Sequence, residues 1–353
     1  MRITCHRNFL IWATLFQSLL FVFMLVSKTY AATETKLLPS DGAADDWFGY
    51  AVSVSGDVAL VGAVEDDDNG VDSGSAYVFR WNGSNWVQEQ KLLASDGVSG
   101  DWFGGSVSID GNVALVGAQG NDDTDYNSGS AYVFRWNGSN WVEEQELLPS
   151  DGAAFDFCGE SVSVDGNVAL VGAVEDDDKG DDSGSAYVFR WNGSNWVQEQ
   201  KLLPSDGAAD DYFGVSVSIS GNAALVGAEG DYGRSGSAYV FRWNGSNWVE
   251  EQKLVASDGY YYDYFGTSVS ISSNVALVGA DSNDDKGIQS GSAYVYTLGV
   301  QSELIADFSA SPTSGSVPLI VSFTDQSMGT VSSWNWNFGD GTTSNEQNPS
   351  HTY

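Results

Sequence analysis

The sequence predicts an all-β protein, a β-propeller of four-stranded blades followed by an incomplete Ig-like β-sandwich. Two observations predict the propeller. One stretch of about 55 residues recurs five times, marked by Gly49, Gly104, Gly159, Gly214 and Gly266. Each copy also divides into four short strand-forming segments, and four-stranded antiparallel units that repeat in this way form propeller blades. An open β-solenoid is the alternative, although it would need shorter coils.

The first copy shows how each strand is recognised. Residues 52–55 alternate between apolar and polar, as a half-buried strand does, and a hairpin turn follows at Gly56-Asp57. The apolar run 58–63 predicts a strand that is covered on both faces. Residues 76–81 are rich in β-formers, Asn82-Gly83 is a strong hairpin signal, and residues 86–92 alternate as an outer strand would.

The strand count predicts how the ring closes. Five copies carry the first three strands, whereas the fourth strand begins only at Trp86, Trp141, Trp196 and Trp248. The segment Thr33 to Leu38 reads TETKLL and matches the QEQKLL tail of a fourth strand. We therefore expect this segment to complete the fifth blade, closing a five-bladed ring without exposed edges. A larger ring that has lost blades would instead leave a gap.

The first 31 residues are typical of a secretory signal peptide. A basic start with Arg2 and Arg7 precedes the apolar stretch 9–26, and Thr29-Tyr30-Ala31 supplies a small-residue cleavage site. An uncleaved membrane anchor is the alternative. We therefore expect a secreted or cell-surface protein, with a propeller over 33–298 and a linker with the beginning of a second domain over 299–353.

Charge and cysteine content limit the class of protein. The signal region holds three of the 14 Lys and Arg residues and no acid, so the mature chain carries 11 − 48 = −37 charges. Such a chain repels nucleic acid and anionic membranes, and we expect a monomer that does not insert into the membrane after cleavage. Only Cys158 remains after cleavage, which excludes a disulfide within the chain. It stands where other copies have Phe, so we interpret it as a small core substitution, with a reactive thiol as the alternative.

The recurring Phe48-Gly49 and Val61-Gly62-Ala63 resemble the FG-GAP repeat, which is found in the head of integrin α chains and in many bacterial surface proteins. The resemblance covers about Lys36 to Tyr296, and the third copy departs from it with Cys158-Gly159. It implies a propeller in an extracellular adhesion or ligand-binding setting. In that family a calcium loop of DxDxDG form lies between strands one and two. Here that connection is only a two-residue turn, so the family's calcium site cannot be carried over.

Acidic residues are concentrated instead between strands two and three, where oxygen ligands at alternate positions resemble a site for a hard cation such as Ca²⁺. The solvated acidic loop is the alternative. The candidate ligands are Glu65, Asp67, Asn69 and Asp72 in the first copy, Asn121, Asp123 and Asp125 in the second, and Glu175 and Asp177 in the third. In antiparallel blades these loops and the inter-blade loops emerge on one face. Their unpaired carboxylates would repel one another there, and a bound cation would relieve the repulsion.

After about Glu303 the sequence changes character. Residues 306–312, 317–323 and the string WNFGDG at 336–341, with the preceding Trp334, resemble a PKD domain, an Ig-like sandwich. The family pattern continues with two further strands, so we expect this domain to be incomplete.

These features favour a non-enzymatic binding or adhesion module that recognises an extracellular protein or a polysaccharide. His6 lies in the signal and His351 near the other end, so no imidazole is placed to act as a general base in the propeller. Two alternatives stay open. One is a carbohydrate-active enzyme or its accessory domain, because paired carboxylates are abundant. The other is an architectural spacer.

Overall fold

The computed structural model describes residues 34–299, 306–327 and 333–353. The predicted signal peptide lies outside these residues. The repeats form five antiparallel sheets in chain order. The first four sheets have four strands each: β1 (Phe48–Ser55), β2 (Val58–Ala63), β3 (Ser75–Trp81), β4 (Trp86–Leu92); β5 (Phe103–Asp110), β6 (Val113–Ala118), β7 (Ser130–Trp136), β8 (Trp141–Leu147); β9 (Cys158–Asp165), β10 (Val168–Ala173), β11 (Ser185–Trp191), β12 (Trp196–Leu202); β13 (Phe213–Ser220), β14 (Ala223–Ala228), β15 (Ser237–Trp243), β16 (Trp248–Leu254).

The fifth sheet contains β17 (Phe265–Ser272), β18 (Val275–Ala280) and β19 (Ser292–Thr297). A single helical turn, α1 (Asp231–Arg234), lies between β14 and β15. No helix in the described part of the chain is long and apolar enough to cross a membrane. The all-β class is confirmed, and the sheets have the strand order expected of propeller blades.

Each blade packs one apolar sheet face against the next blade. Leu60 and Val78 of the first blade are fully buried against Ile109 and Phe103 of the second. Equivalent clusters join the second blade to the third, the third to the fourth and the fourth to the fifth. Cys158 is fully buried in the second of these clusters, at the position where Phe103 stands in the first. Its burial agrees with the interpretation as a core substitution.

Glycine allows neighbouring blades to approach backbone to backbone. A Cβ at Gly62 would lie 1.9 Å from the carbonyl oxygen of Gly104. The same contact joins Gly117 to Gly159, Gly172 to Gly214 and Gly227 to Gly266, at 2.0, 2.1 and 2.0 Å. The second glycine of each pair has a φ between +93° and +102°, a conformation that side chains disfavour. The two glycines of the repeated text are therefore required by one contact.

Polar clamps fix the same interfaces at both ends of the blade. On the first strand of the blade, the Ser53 hydroxyl accepts a hydrogen bond from the Ile109 amide at 3.1 Å. At the outer strand, the Gln90 side chain donates to the Trp141 carbonyl and accepts from its amide, at 2.7 and 2.8 Å. Gln145 and Gln200 make the same pair of bonds to the following blades. The polar outer strand thus contributes to packing between blades.

The predicted closure at five blades is not confirmed, because the described residues form an open arc. Glu34 to Leu38 form no strand, and the fifth sheet has three strands. No packing comparable with the four inter-blade interfaces joins β17, β18 or β19 to β1. Val54 is 67 % exposed, whereas its counterpart Ile109 is 5 % exposed. Four equivalent interfaces therefore do not turn the chain far enough to bring the last blade to the first.

The C-terminal segment forms two small sheets. One has the order β20 (Phe308–Ser311), β21 (Ile320–Asp325), β24 (Ser350–Thr352), and the other pairs β22 (Trp336–Asn337) with β23 (Thr343–Ser344). Phe323 contacts both Trp336 and Phe338, with ring centroids 5.7 and 5.3 Å apart, and His351 stacks on Phe338 at 4.4 Å. These aromatic rings form the contact between the two sheets.

The glycine contact gives a test of the open arc. We expect Gly172→Ala to destabilise the protein by about 1–3 kcal/mol or more, because the new methyl group overlaps a backbone oxygen of the next blade. The matched control is Gly279→Ala, which changes the equivalent glycine of the fifth blade. Its Cβ would meet only the Ser268 side chain, which can rotate away. Thermal and urea unfolding should show a clearly smaller loss for Gly279→Ala. At protein concentrations where the chain is monomeric, equal losses would indicate that the ring closes in solution.

Candidate functional site

The loops between strands two and three lie beside the inter-blade loops on one face, as predicted. Backbone hydrogen bonds tie the two families together: the Gly100 amide donates to Val71, Phe155 to Tyr126 and Asp210 to Asp181, at 2.8–2.9 Å. We call this face the loop rim, comprising residues 39–47, 64–74 and their counterparts in the other blades. Most of its acids and several of its large aromatic side chains are exposed, including Trp47, Tyr126, Phe155, Tyr232 and Tyr260 to Tyr262.

The loop rim is rigid where neighbouring blades meet. Trp102 has a φ of +56° and bonds through its amide to Asp72, which has a φ of +55°. Phe157 with Asn127, and Tyr212 with Asp182, repeat this pair of left-handed residues. Such conformations cost energy in side-chain-bearing residues and persist only where surrounding contacts enforce them. The backbone of the aromatic residue before the inner strand of the second, third and fourth blades is therefore held in one conformation.

Two of the predicted ligands of the first blade make hydrogen bonds within the loop rim. Asp67 Oδ1 accepts a hydrogen bond from the Asp72 amide, and Asn69 donates its side-chain amide to the Ala94 carbonyl. Asp66, which lies between these residues in the loop, is only 3 % exposed. Desolvation, together with the charges of Asp72 and Asp67, raises the pKa of Glu65, so these three carboxylates lie near one another. Cation binding by Glu65, Asp67, Asn69 and Asp72 stays a prediction, whereas Asp66 of this loop contacts the outer strand.

A lysine from the outer strand occupies the centre of the first blade's acidic group. Lys91 Nζ lies 3.1, 2.8 and 2.6 Å from carboxylate oxygens of Asp41, Asp66 and Asp68. The Tyr77 hydroxyl lies 3.0 Å from both Asp41 and Asp66. Although desolvation opposes its charge, these carboxylates raise the pKa of Lys91. The first blade therefore carries its own cation.

The third and fourth blades repeat this arrangement. Lys201 Nζ lies 2.7 Å from both Asp176 and Asp178, and Lys253 lies 2.7 Å from Asp206 and contacts Asp231. The predicted ligand Asp177 lies outside the lysine group, and its carboxylate is close to those of Asp181 and Asp182 instead. Glu175 lines a cavity between blades, and desolvation together with the charges of Asp182 and Asp177 raises its pKa.

The second blade differs, because the outer strand supplies Glu146 where the other blades have lysine. The predicted residues Asn121 and Asp123 do lie at this position, and the carboxylates of Asp123, Asp96 and Glu146 are mutually within 4.8 Å. The third predicted residue, Asp125, is exposed and lies outside the cluster. Sequence reasoning missed Asp96 and Glu146. The signal was the outer-strand tail, which reads EEQEL here and QEQKL or EEQKL in the other complete blades.

A cavity of about 500 Å³ opens on the loop rim where the third, fourth and fifth blades meet. It lies beside the loop between β14 and β15 of the fourth blade. This loop is shorter than its counterparts in the other blades and contains α1. Its polar lining includes Glu175, Glu229, Asp281, Arg234 and the rings of Tyr212 and Tyr264. Arg234 donates to the Tyr264 hydroxyl at 3.3 Å. Burial raises the pKa of Glu229.

A buried aspartate holds each inter-blade loop. Asp211 is 5 % exposed and accepts a hydrogen bond from the Ala208 amide at 2.7 Å. Asp46, Asp101, Asp156 and Asp263 make the same contact in their own loops. Desolvation raises the pKa of Asp211 to about 6, although the hydrogen bond and Lys253 favour the charged form. The folded protein therefore holds this proton more tightly than the unfolded chain.

This raised pKa predicts a pH dependence. Because the folded state takes up the proton first, Asp211 destabilises the fold above pH about 6, and that penalty disappears as the pH falls through 6 towards 4. We expect Asp211→Asn, which keeps an oxygen acceptor, to raise stability at pH 7 by on the order of 1–3 kcal/mol and to have little effect at pH 4. Melting curves across this range would measure it. The neighbouring exposed residue provides the control Asp210→Asn, which removes one charge from the same loop. The same gain in both variants would assign the effect to general charge repulsion.

Comparison with known families agrees with this architecture. A model described as the FG-GAP repeat matches residues 32–79, 86–134, 141–189, 196–241 and 248–296. A model described as the PKD domain matches residues 304–353. No curated protein matches the chain. The glycine pair that joins the blades explains why both glycines of the repeat recur. The chain therefore belongs to the FG-GAP repeat family, with five repeats followed by a PKD domain.

Proposed function

We propose that this chain is a secreted or cell-surface, non-enzymatic binding or adhesion module, and that its ligand is an extracellular protein or a glycan. The cavity between the third, fourth and fifth blades carries this proposal. FG-GAP repeats and PKD domains are typical of extracellular proteins that interact with other molecules, which agrees with export.

The lining of the cavity suits a polar ligand with flat or ring-shaped parts. Tyr212 and Tyr264 have left-handed backbones, with φ of +54° and +55°, and their amides bond to the preceding blade at 3.2 and 3.1 Å. A backbone that is fixed before the ligand arrives reduces the conformational freedom that is lost on binding. Arg234 and the carboxylates of Glu229 and Asp281 add opposite charges around them. This combination can stack on a sugar or peptide group and hydrogen-bond its polar edge.

A carbohydrate-active enzyme is the second candidate, because the cavity holds several carboxylates and burial raises the pKa of Glu229. A raised pKa is a property of acid catalysts. The blade repeats of the described part contain no histidine, and His351 belongs to the C-terminal domain. The experiment must therefore measure turnover as well as binding. An architectural spacer would show neither.

The test is binding of the protein to panels of polysaccharides and extracellular-matrix proteins. We expect saturable binding without product release, and a loss of about tenfold or more in affinity for Tyr264→Ala, as for a central aromatic contact. The control Tyr126→Ala removes an exposed aromatic ring from the second blade, away from the cavity, and should bind as the wild type does. Turnover that Glu229→Gln abolishes would establish the enzyme. Absence of binding to every panel member would favour the spacer.

A further inference from the structure

We propose that the second blade binds a divalent cation, with calcium as the best fit, between the carboxylates of Asp96, Asp123 and Glu146. In three other blades a lysine ammonium lies at this position. The ion would replace that internal cation. This site is separate from the ligand cavity and does not depend on the proposed function.

The distances fit calcium. The three carboxylate oxygens lie within 4.8 Å of one another. Calcium binds oxygen at about 2.3–2.6 Å, so oxygen atoms bound to one ion lie within about 5 Å of one another, as these do. The nearby atoms that could bind the ion are oxygen atoms or belong to the side-chain amide of Asn121. The Tyr132 hydroxyl already donates a hydrogen bond to Asp96 at 2.9 Å. Water would complete the six to eight ligands that calcium takes.

An unpartnered buried atom points to the same ion. Glu146 Oε1 is buried and makes no hydrogen bond within the cluster. Buried polar atoms in folded proteins nearly always have a partner. Burial, together with repulsion from Asp123 and Asp96, raises the pKa of Glu146. A cation between these groups would satisfy Glu146 Oε1 and offset the repulsion.

The exchange of lysine for glutamate also changes the balance of charge. In the first blade Lys91 offsets three carboxylates. In the second blade Asn121 replaces one aspartate and Glu146 replaces the lysine, so three carboxylates face one another. No lysine or arginine of the described residues pairs with Asp96, Asp123 or Glu146. The basic residue of this strand pair, Arg135, is bound to Glu144 at 2.7 Å.

Calorimetric titration with CaCl₂ tests the site. We expect the wild type to bind about one Ca²⁺ per chain at this site, and Ca²⁺ to raise the melting temperature more than NaCl of equal ionic strength. Glu146→Lys should abolish this binding and melt, without calcium, at a higher temperature than the calcium-free wild type. The control Asp122→Asn changes a loop carboxylate that bonds to the Asn127 amide outside the cluster, and should bind as the wild type does.

The first blade allows a gain-of-site experiment. Converting it to the pattern of the second blade with Asp66→Asn and Lys91→Glu should add about one further bound Ca²⁺. Unchanged calcium binding in Glu146→Lys would overturn the proposal. So would a wild type that calcium stabilises no more than matched NaCl does, because protonation of Glu146 would then relieve the repulsion instead.

A different observation carries a second proposal: we infer that the fifth blade of one copy packs on the first blade of a second copy. The two ends of the arc expose the two halves of the repeated interface. At one end Val52 and Val54 are 70 % and 67 % exposed, and at the other Leu277 and Val295 are 43 % and 68 % exposed. Leu60 and Val78, which correspond to Leu277 and Val295, are fully buried by the next blade.

The segment Glu34 to Leu38 and the unpaired edge of the fifth blade fit the same contact. Leu37 packs on the cluster of Val61, Tyr77 and Phe79, as Leu92 packs on the equivalent residues of the second blade. The Ser40 amide bonds to Gln88, as Ser95 bonds to Glu143. Glu34 to Leu38 therefore lie against the first blade where the outer strand of a preceding blade would lie. A docked copy would place β19 beside this segment, which would supply the missing fourth strand.

Light scattering after size exclusion tests this head-to-tail contact. We expect the wild type to assemble as its concentration rises, because a contact between unlike faces joins successive copies. Val54→Glu and Leu277→Glu should each remove further assembly. An equal mixture of the two variants should form a dimer, since each keeps one intact face. The control Val87→Glu lies on an outer strand away from both end faces and should assemble normally. A wild type that is monomeric at every concentration, or a mixture that stays monomeric, would overturn the inference.

Discussion

The close contact between two glycines of neighbouring blades is the constraint on which this structure depends. There is no space for a Cβ where Gly62 meets the Gly104 carbonyl, so the blades approach until their apolar faces interlock. The serine and glutamine clamps can form only at that separation. Because four interfaces use the same residues, each turns the chain in the same way. The arc is thus a consequence of one local contact repeated.

Most of the fold could be predicted from the sequence, because each blade depends on local patterns. The predicted strands at 58–63 and 86–92 agree with β2 and β4, and the first strand was too short only because a bulge lets Phe48 pair with Ala63. The closure of the ring could not be predicted from such local patterns. It depends on the sum of several interface angles, and matching TETKLL to a fourth strand gives no information about that sum.

The candidate sites could be predicted only in part, for a related reason. Alternation identifies exposed and buried positions in a strand, but a tight loop has no such period. Asp66 turns inward to Tyr77 and Lys91 while its neighbours Glu65 and Asp67 do not. The partners come from other segments: Lys91 from the outer strand and Asp41 from the preceding loop. Asn121 and Asp123 are predicted ligands that lie beside carboxylates from two other segments, those of Asp96 and Glu146.

Departures from the repeat separate residues that serve the fold from residues with another role. A feature present in every blade, such as the buried aspartate of each inter-blade loop, is explained by what each blade needs in order to pack. Cys158 is a departure, but its full burial leaves it within that packing. Glu146 and the shortened fourth loop are departures that packing does not explain. Glu146 adds a third carboxylate to Asp96 and Asp123 at the position where other blades have a lysine. The shortened fourth loop lies at a cavity beside Tyr212 and Tyr264. Since the blades pack in the same way without these two departures, we expect binding to take place there.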